Sequence, residues 1–352
     1  MKVKRVVFLY SEMAGYFLSA VSELVKQGAE VLVVHWPVKD EAPFDFKVGT
    51  GIELLNKSAI DFQELESRIA KFSPELIVTS GWMDKDYLKI TKKYYSTIPT
   101  VMALDNHWFG SLKQRILTLA SPFWLKRIFS DVWVAGEPQA KYAMKLGFKS
   151  DCIHRGYYTA DVPTFEKHYF VNKEEKGKSF PKVFLYVGRY IEHKGIFDLW
   201  EAFVQLQKEK TNDWELWCVG TGELFDQRVE HDKIKHLGFL QPEEMTKVIP
   251  QTGVLVLPSH FEPWGVVVHE FAAAGYPMLL SDSIGSGTQF LEEGKNGYSF
   301  KSNNAEDLKK AMQRIINTND ISLLEMGEKS HTKSLELTPQ IWAKTLLKIR
   351  KK

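Results

Sequence analysis

The sequence predicts an α/β protein of two Rossmann-like domains with parallel sheets, on three observations. Short β-branched or aromatic runs alternate with longer helix-patterned stretches from one end to the other, which is the rhythm of parallel strand–helix units. The strand runs are nearly continuous in apolar residues, as sheets covered on both faces require. A length of 352 residues suits about two domains.

In the first half, strands are expected at 3–10, 30–35, 75–79, 99–104 and 132–135, separated by helices such as 14–26 and 138–146. Basic residues precede the first apolar run, but that run stops at Ser11-Glu12 and no small-residue cleavage pattern follows. It reads as a buried strand and not as a signal peptide. In the second half, strands are expected at 183–187, 215–219, 234–237, 253–257 and 277–281, a spacing of about 20 to 35 residues that suits βαβ units. The most charged and least periodic stretch, 164–178, is expected to hold the linker. The domains are then 1–164 and 181–335, joined by 165–180, with a C-terminal helix over 336–352 that sets Trp342, Leu346 and Ile349 at helical spacing. Two such domains put a ligand cleft at the carboxyl ends of their strands.

With 44% hydrophobic residues both cores can be filled, yet no segment approaches the roughly 18 uninterrupted apolar residues of a membrane span. The 46 basic residues nearly balance 44 acidic ones, which argues against a general nucleic-acid binder, whose surface leaves a basic excess. Cys152 and Cys218 are the two cysteines, and neither has metal-ligand spacing around it. A reduced, cytoplasmic protein is expected.

The segment from Val254 to Gly275 runs from a strand into a helix and carries the most chemistry. The helix is expected to begin near Pro263 or Trp264 and to end at Gly275 as a left-handed cap. Glu262 then lies in the loop before it and Glu270 about two turns inside it. The N–H groups of Gly265 and its neighbours Trp264 and Val266 face an anion at the helix mouth, and glycine removes the side chain that would block a phosphate. Carboxylates beside a phosphate site suit the hydroxyls of a sugar. The plainer reading makes Glu262 a favourable charge at the helix dipole. Glu270 sits in a helix apolar nearly all round, so it is expected to be buried and to need a partner.

Glu262 and Glu270 form a Glu-x7-Glu pair, followed by Ala273-Ala274-Gly275-Tyr276-Pro277, Gly285-Ser286-Gly287 and Gly294-Lys295-Asn296-Gly297-Tyr298. In this order the sequence resembles the donor-binding half of a retaining glycosyltransferase of the GT-B fold, family 4, over residues 183–300. The resemblance implies that the C-terminal helix returns to the first domain. After the strand at 183–187, Gly188-Arg189-Tyr190-Ile191-Glu192-His193-Lys194-Gly195 places an arginine and a lysine at the cleft rim, a pair suited to a diphosphate. Either alone would read as a solvated basic side chain; the resemblance implies that Arg189 and Lys194 grip the donor diphosphate. Gly220-Thr221-Gly222 is an incomplete dinucleotide fingerprint, expected to line the nucleotide cleft. The stretch Lys235 to Leu240 resembles the family segment whose backbone meets the nucleobase just after the glycine, here at Phe239.

In the first domain, the resemblance implies a glycine-bearing loop after the first strand. Gly15 is the candidate there, although a plain helix start with Ser11 as cap explains the same letters. The strand at 99–104 runs into Asp105-Asn106-His107, where the family presents a histidine or aspartate to the reacting sugar; Asp105 is the first candidate and His107 the second. Between His107 and Phe129, five aromatics are interleaved with Lys113, Arg115, Lys126 and Arg127, with no acidic residue. That pattern suits an interfacial helix on anionic lipid, against the alternative of a core helix whose cationic heads reach water.

The expected reaction is transfer of a hexose from a nucleotide diphosphate sugar to a hydroxyl acceptor, a lipid-linked glycan or polysaccharide precursor, with anomeric configuration retained. Arg189, Lys194 and the helix mouth supply the positive charge, so no metal is obligatory. Cytoplasmic location with peripheral attachment at the membrane's inner face follows from this reading. The alternatives are a nucleotide-sugar epimerase on the same scaffold and a noncatalytic sugar-nucleotide-binding protein.

Overall fold

The structure, a computed structural model, describes residues 3–37 and 49–351. It divides into two compact units: residues up to Asp161 together with Leu337 onward form unit 1, and Val162–Glu336 form unit 2.

Unit 1 begins with β1 (Arg5–Tyr10), α1 (Gly15–Lys26), β2 (Glu30–His35) and β3 (Ile52–Asn56). It continues through α2 (Phe62–Phe72), β4 (Leu76–Ser80), α3 (Lys85–Tyr94) and β5 (Thr100–Leu104). Then come α4 (Leu112–Trp124), β6 (Asp131–Val134), α5 (Glu137–Lys145) and β7 (Ile153–Arg155). The sheet order is β3-β2-β1-β4-β5-β6-β7, and every pairing is parallel. The order reverses between β1 and β4, which makes their carboxyl ends a topological switch point.

Unit 2 opens with α6 (Val162–Lys178), β8 (Val183–Val187), α7 (Ile196–Glu209), β9 (Glu215–Val219) and β10 (Ile234–Gly238). It goes on with α8 (Pro242–Val248), β11 (Val254–Leu257), α9 (Val266–Ala273), β12 (Met278–Ser281), α10 (Gly287–Phe290) and β13 (Gly297–Phe300). It closes with α11 (Ala305–Ile316) and α12 (Asp320–Ser334), after which α13 (Pro339–Leu346) belongs to unit 1. Its sheet is ordered β10-β9-β8-β11-β12-β13, again parallel, with the switch point between β8 and β11.

The expected strands are all present, shifted by two residues at most at either end. β3, β7 and β13 were not expected, because β3 is a half-buried edge and the other two are only three and four residues long. The stretch expected as a linker over 165–180 is instead mostly helix α6, which belongs to unit 2. Its buried positions include Asn172 and Lys176, so its inward face shows no apolar periodicity. The cap of α1 is Ala14 and not Ser11, and no side chain caps that helix.

Helix α4 turns Leu117 and Trp124 inward. It leaves Leu112, Ile116, Leu119 and Phe123 between 68% and 78% exposed. These four share one face by their spacing of four, three and four residues. The helix is therefore not a core helix whose only outward groups are cationic heads.

Helix α13 packs on α1 through Trp342, which is 1% exposed. Its ring lies 5.9 Å from Phe8 and 4.7 Å from Trp133, and its Nε1 donates to the carbonyl of Tyr157 at 2.7 Å. Replacing Trp342 with alanine is expected to destabilise unit 1 by about 3–5 kcal/mol. Urea unfolding of the full chain measures this, and a loss below about 1 kcal/mol would show that α13 is not part of that core.

Candidate functional site

In unit 2 the sequence-predicted residues converge on the carboxyl ends of β8, β9 and β11. Lys194 follows β8 and Glu262 follows β11; Lys194 Nζ is ion-paired with Glu262 Oε2, each side chain about one-fifth exposed. The pair therefore spans the switch point of the sheet, where open α/β folds bind ligands.

Several contacts hold these loops in place. His260 N and Phe261 N both donate to the carbonyl of His193, and His260 Nε2 lies 2.8 Å from Asp198 Oδ2 on α7. The hydroxyl of Tyr186 donates to the carbonyl of Arg189 at 2.8 Å. Gly285 N donates to the carbonyl of Glu262, while Ser286 binds the next turn through its N–H to Trp264 O and its Oγ to Gly265 O. Tyr186, Asp198 and His260 escaped the sequence reading, since each acts by fixing a backbone and no chemical motif marks it. Ser286 lay within a quoted motif, but its contact did not show there.

Gly265 adopts φ +88°, and a Cβ there would lie 3.0 Å from Glu262 Cγ. This left-handed residue delays the helix: α9 starts at Val266, two to three residues later than expected. Glu270 is consequently one turn inside α9 and not two. It is partly exposed, not buried, because the packed side of α9 is carried by Val268, His269 and Phe271–Ala273. The helix end matches expectation, with Gly275 at φ +76°. No side chain caps the start of α9, and Val268 N donates to the carbonyl of Gly265, so the N–H groups ahead of it, at Val266 and Val267, are the ones a helix mouth offers to an anion. The Trp264 side chain is 2% exposed and its Nε1 has no hydrogen-bond partner, leaving only its backbone to face a ligand.

Gly188 and Gly220 lie where the loops after β8 and β9 cross. A Cβ on Gly220 would fall 1.9 Å from Gly188 O, and one on Gly222 would fall 2.5 Å from Tyr190 O. Loop-on-loop packing thus accounts for these glycines. Gly220 N also donates to Gly238 O at 2.7 Å, which brings Phe239, 37% exposed, to the same edge. Arg189 is exposed at the rim. Partial burial, with Lys194 and then Arg189 as neighbouring cations, holds His193 below its ordinary value, while Glu262 and Glu223 oppose this. These five residues therefore share one electrostatic neighbourhood.

In unit 1, a cavity of about 540 Å³ opens at the carboxyl ends of β1, β2, β4 and β5. Asp105 lines it and accepts from the Tyr158 hydroxyl at 3.1 Å. Burial first, and the Asp105 charge next, hold the Tyr158 phenol well above its ordinary value, so it stays a donor. His107 is not among the lining residues. Its ring packs against Phe109 at 4.1 Å, and its buried Nδ1 has no partner; burial lowers its pKa. Gly15 starts α1, and a Cβ there would meet nothing within 4 Å. Among the described residues, no group of three or more His, Cys, Asp or Glu side chains is placed to hold a metal ion, and no helix is long and apolar enough to cross a membrane.

Two parallel Rossmann-like units with these sheet orders define a GT-B fold. Residues 170–333 match the family described as glycosyl transferases group 1. An uncharacterized glycosyltransferase of Haemophilus influenzae is 30% identical over 173 residues, covering 46% of this chain and 47% of that one. The chain spans about half or less of the length of such curated relatives. HepE of Anabaena, solved in complex with UDP-glucose, matches with a TM-score of 0.69 at 15% identity over 98% of both chains. WaaG, a glycosyltransferase involved in lipopolysaccharide biosynthesis, matches with a TM-score of 0.67 at 12% identity, over 98% of this chain and 100% of that one. At these identities the structural likeness is one of fold. The fold is therefore GT-B, and residues 170–333 resemble glycosyl transferases group 1.

The shared neighbourhood of His193 makes a direct test. Lys194→Met is expected to raise the His193 titration midpoint, and Glu262→Gln to lower it further from the ordinary value. NMR titration of the imidazole, assigned with His193→Gln, reads both; identical midpoints in all three proteins would show that these charges do not share one site.

Proposed function

We propose that the chain is a retaining glycosyltransferase of family 4 that moves a hexose from a nucleotide diphosphate sugar to a hydroxyl acceptor. The ion pair of Lys194 with Glu262, at the switch point of the unit that matches the family, carries this reading. In the absence of donor the two charges neutralise each other. Donor diphosphate takes Lys194, and the freed Glu262 carboxylate accepts hydrogen bonds from the sugar hydroxyls. Arg189 and the N–H groups at the mouth of α9 add to the field on the leaving diphosphate, whose charge grows in the transition state. Glu270 takes the ribose hydroxyls, and the backbone around Phe239 meets the base. Asp105 of unit 1 is assigned to the reacting sugar, with His107, set back from the cavity, in second place. Positive charge from side chains and a helix end leaves no metal obligatory. The resemblance over residues 183–300 implies the retained configuration, and the UDP-glucose held by HepE makes UDP-sugars the first donors to try.

The acceptor is proposed to be a lipid-linked glycan or polysaccharide precursor, reached from a cytoplasmic membrane surface. The exposed face of α4 supports this: Leu112, Ile116, Leu119 and Phe123 lie beside Lys113, Arg115, Lys126 and Arg127, all four exposed. An apolar face flanked by cations suits insertion at the headgroup level of anionic lipid.

A thermal-shift panel of UDP, GDP, ADP and their sugars identifies the donor. With it, Lys194→Ala and Glu262→Ala are each expected to lower kcat/KM by roughly 10²- to 10³-fold with circular dichroism unchanged. Full activity in both variants would sink the donor site, and donor binding without turnover on any acceptor would favour the noncatalytic reading. In flotation with phosphatidylglycerol vesicles at low salt, the wild type is expected to rise with the lipid and Ile116→Glu/Leu119→Glu to stay behind. A wild type that stays in the soluble fraction removes the membrane from the proposal.

A further inference from the structure

The ion pair of Lys194 with Glu262 is broken by the event it prepares. Once a donor diphosphate takes Lys194, that contact no longer joins the loop after β8 to the loop after β11, and Glu262 must keep its place by other means. Gly285 N holds the Glu262 carbonyl from the loop after β12. That bond leaves the register against the loop after β8 unset.

A second side-chain contact spans the same gap. His260, two residues before Glu262, places its Nε2 2.8 Å from Oδ2 of Asp198, four residues after Lys194. The carboxylate accepts, so Nε2 carries the shared proton. Asp198 lies in the first turn of α7, where the helix dipole favours a negative charge. The first turn of α9, by contrast, holds no acidic residue. Of the two helices that start at the switch point, α7 has its positive end met by Asp198 and α9 keeps its own for a ligand. The backbone is shaped for the approach of the two loops. Gly195 has φ +67°, and a Cβ on it would strike the Pro258 carbonyl and come within 3.1 Å of His260 Nε2. A side chain at 195 would push the loops apart.

We propose that His260 and Asp198 are positioning residues, a permanent tie that keeps Glu262 in register with the loop after β8 when the donor draws Lys194 away. The donor step rests on the glycosyltransferase reading; the tie itself does not. While Lys194 is paired, either contact holds the loops together. With Lys194 drawn off, the side-chain tie falls to His260 and Asp198.

Hydrogen exchange on the ligand-free full chain reads the tie without a donor, with Lys194→Met removing the first contact. The reporter is the Phe261 amide, which donates to the carbonyl of His193 at 3.3 Å. It is expected to stay protected in Lys194→Met and in His260→Ala, and to exchange about tenfold or more faster in the double variant. Lys194→Met/His260→Gln is expected to restore protection, because a glutamine amide can donate from the place of Nε2. Merely additive changes, or an unchanged amide in Lys194→Met/His260→Ala, overturn the proposal.

Turnover reads the consequence. His260→Ala and Asp198→Ala are each expected to lower kcat by roughly 10- to 10²-fold, the scale of a misplaced substrate contact. KM for the donor is expected to change by less than about threefold, and the double variant to be no worse than either single one. His260→Gln is expected to recover most of kcat, which a general loss of folding would not allow. A fully active His260→Ala, or a rise in KM that matches the loss in kcat, overturns the positioning role. If the amide behaves as expected while no nucleotide diphosphate sugar binds the wild type, the transferase reading falls and the tie stands. If donor turns over and His260→Ala is fully active, the tie alone falls.

Discussion

The ion pair of Lys194 with Glu262 bridges the gap where the second sheet reverses its strand order, and the surrounding loops are arranged around that constraint. For the two charges to meet, the loop after β8 must run against the loop after β11, and the carbonyl of His193 joins them by accepting two N–H groups. Gly265 must then turn into left-handed backbone beside Glu262, which in turn decides where α9 begins and which way its first N–H groups point. The ion pair, the left-handed turn at Gly265, the helix start at Val266 and Glu270 one turn beyond it thus lie within one short stretch of chain.

The two units share a topology and differ in what their loops carry. In each, the strand order reverses once and the chemistry gathers at that reversal. In unit 2 the loops bring Arg189 and Lys194 with acidic partners; in unit 1 they bring Glu12 and Asp105 with aromatic rings and bonded tyrosines. The near balance of 46 basic and 44 acidic residues therefore averages over sites of unlike composition.

Much of this was legible in the sequence, because continuous apolar runs identify strands buried on both faces, and the expected strands of both sheets are present. The charged partners at the switch point were also legible, since cations after one strand and a carboxylate after another need only chain order to be brought together. What escaped reading was set by tertiary contacts. Helix α6 looked like a linker because Asn172 and Lys176 point inward. The position of Glu270 was misjudged because the left-handed turn at Gly265 shifts the helix register by most of a turn. The burial of the Trp264 ring, which leaves only its backbone at the helix mouth, was not legible either. The loop-fixing roles of Tyr186, His260 and Asp198 depend on pairings 3 to 62 residues apart, and composition carries no trace of them.

The placement of Trp342 in the core of unit 1 has a consequence for biogenesis. Residues from Val162 to Glu336 form a continuous segment, so unit 2 has all its parts before α13 is made. Unit 1, begun first, lacks the indole that closes over Phe8 and Trp133 until synthesis has passed through the whole of unit 2. Domains generally fold in the order they are synthesised. In this chain the order of completion is inverted, and the segment made first waits for its final helix while the segment made second is already whole.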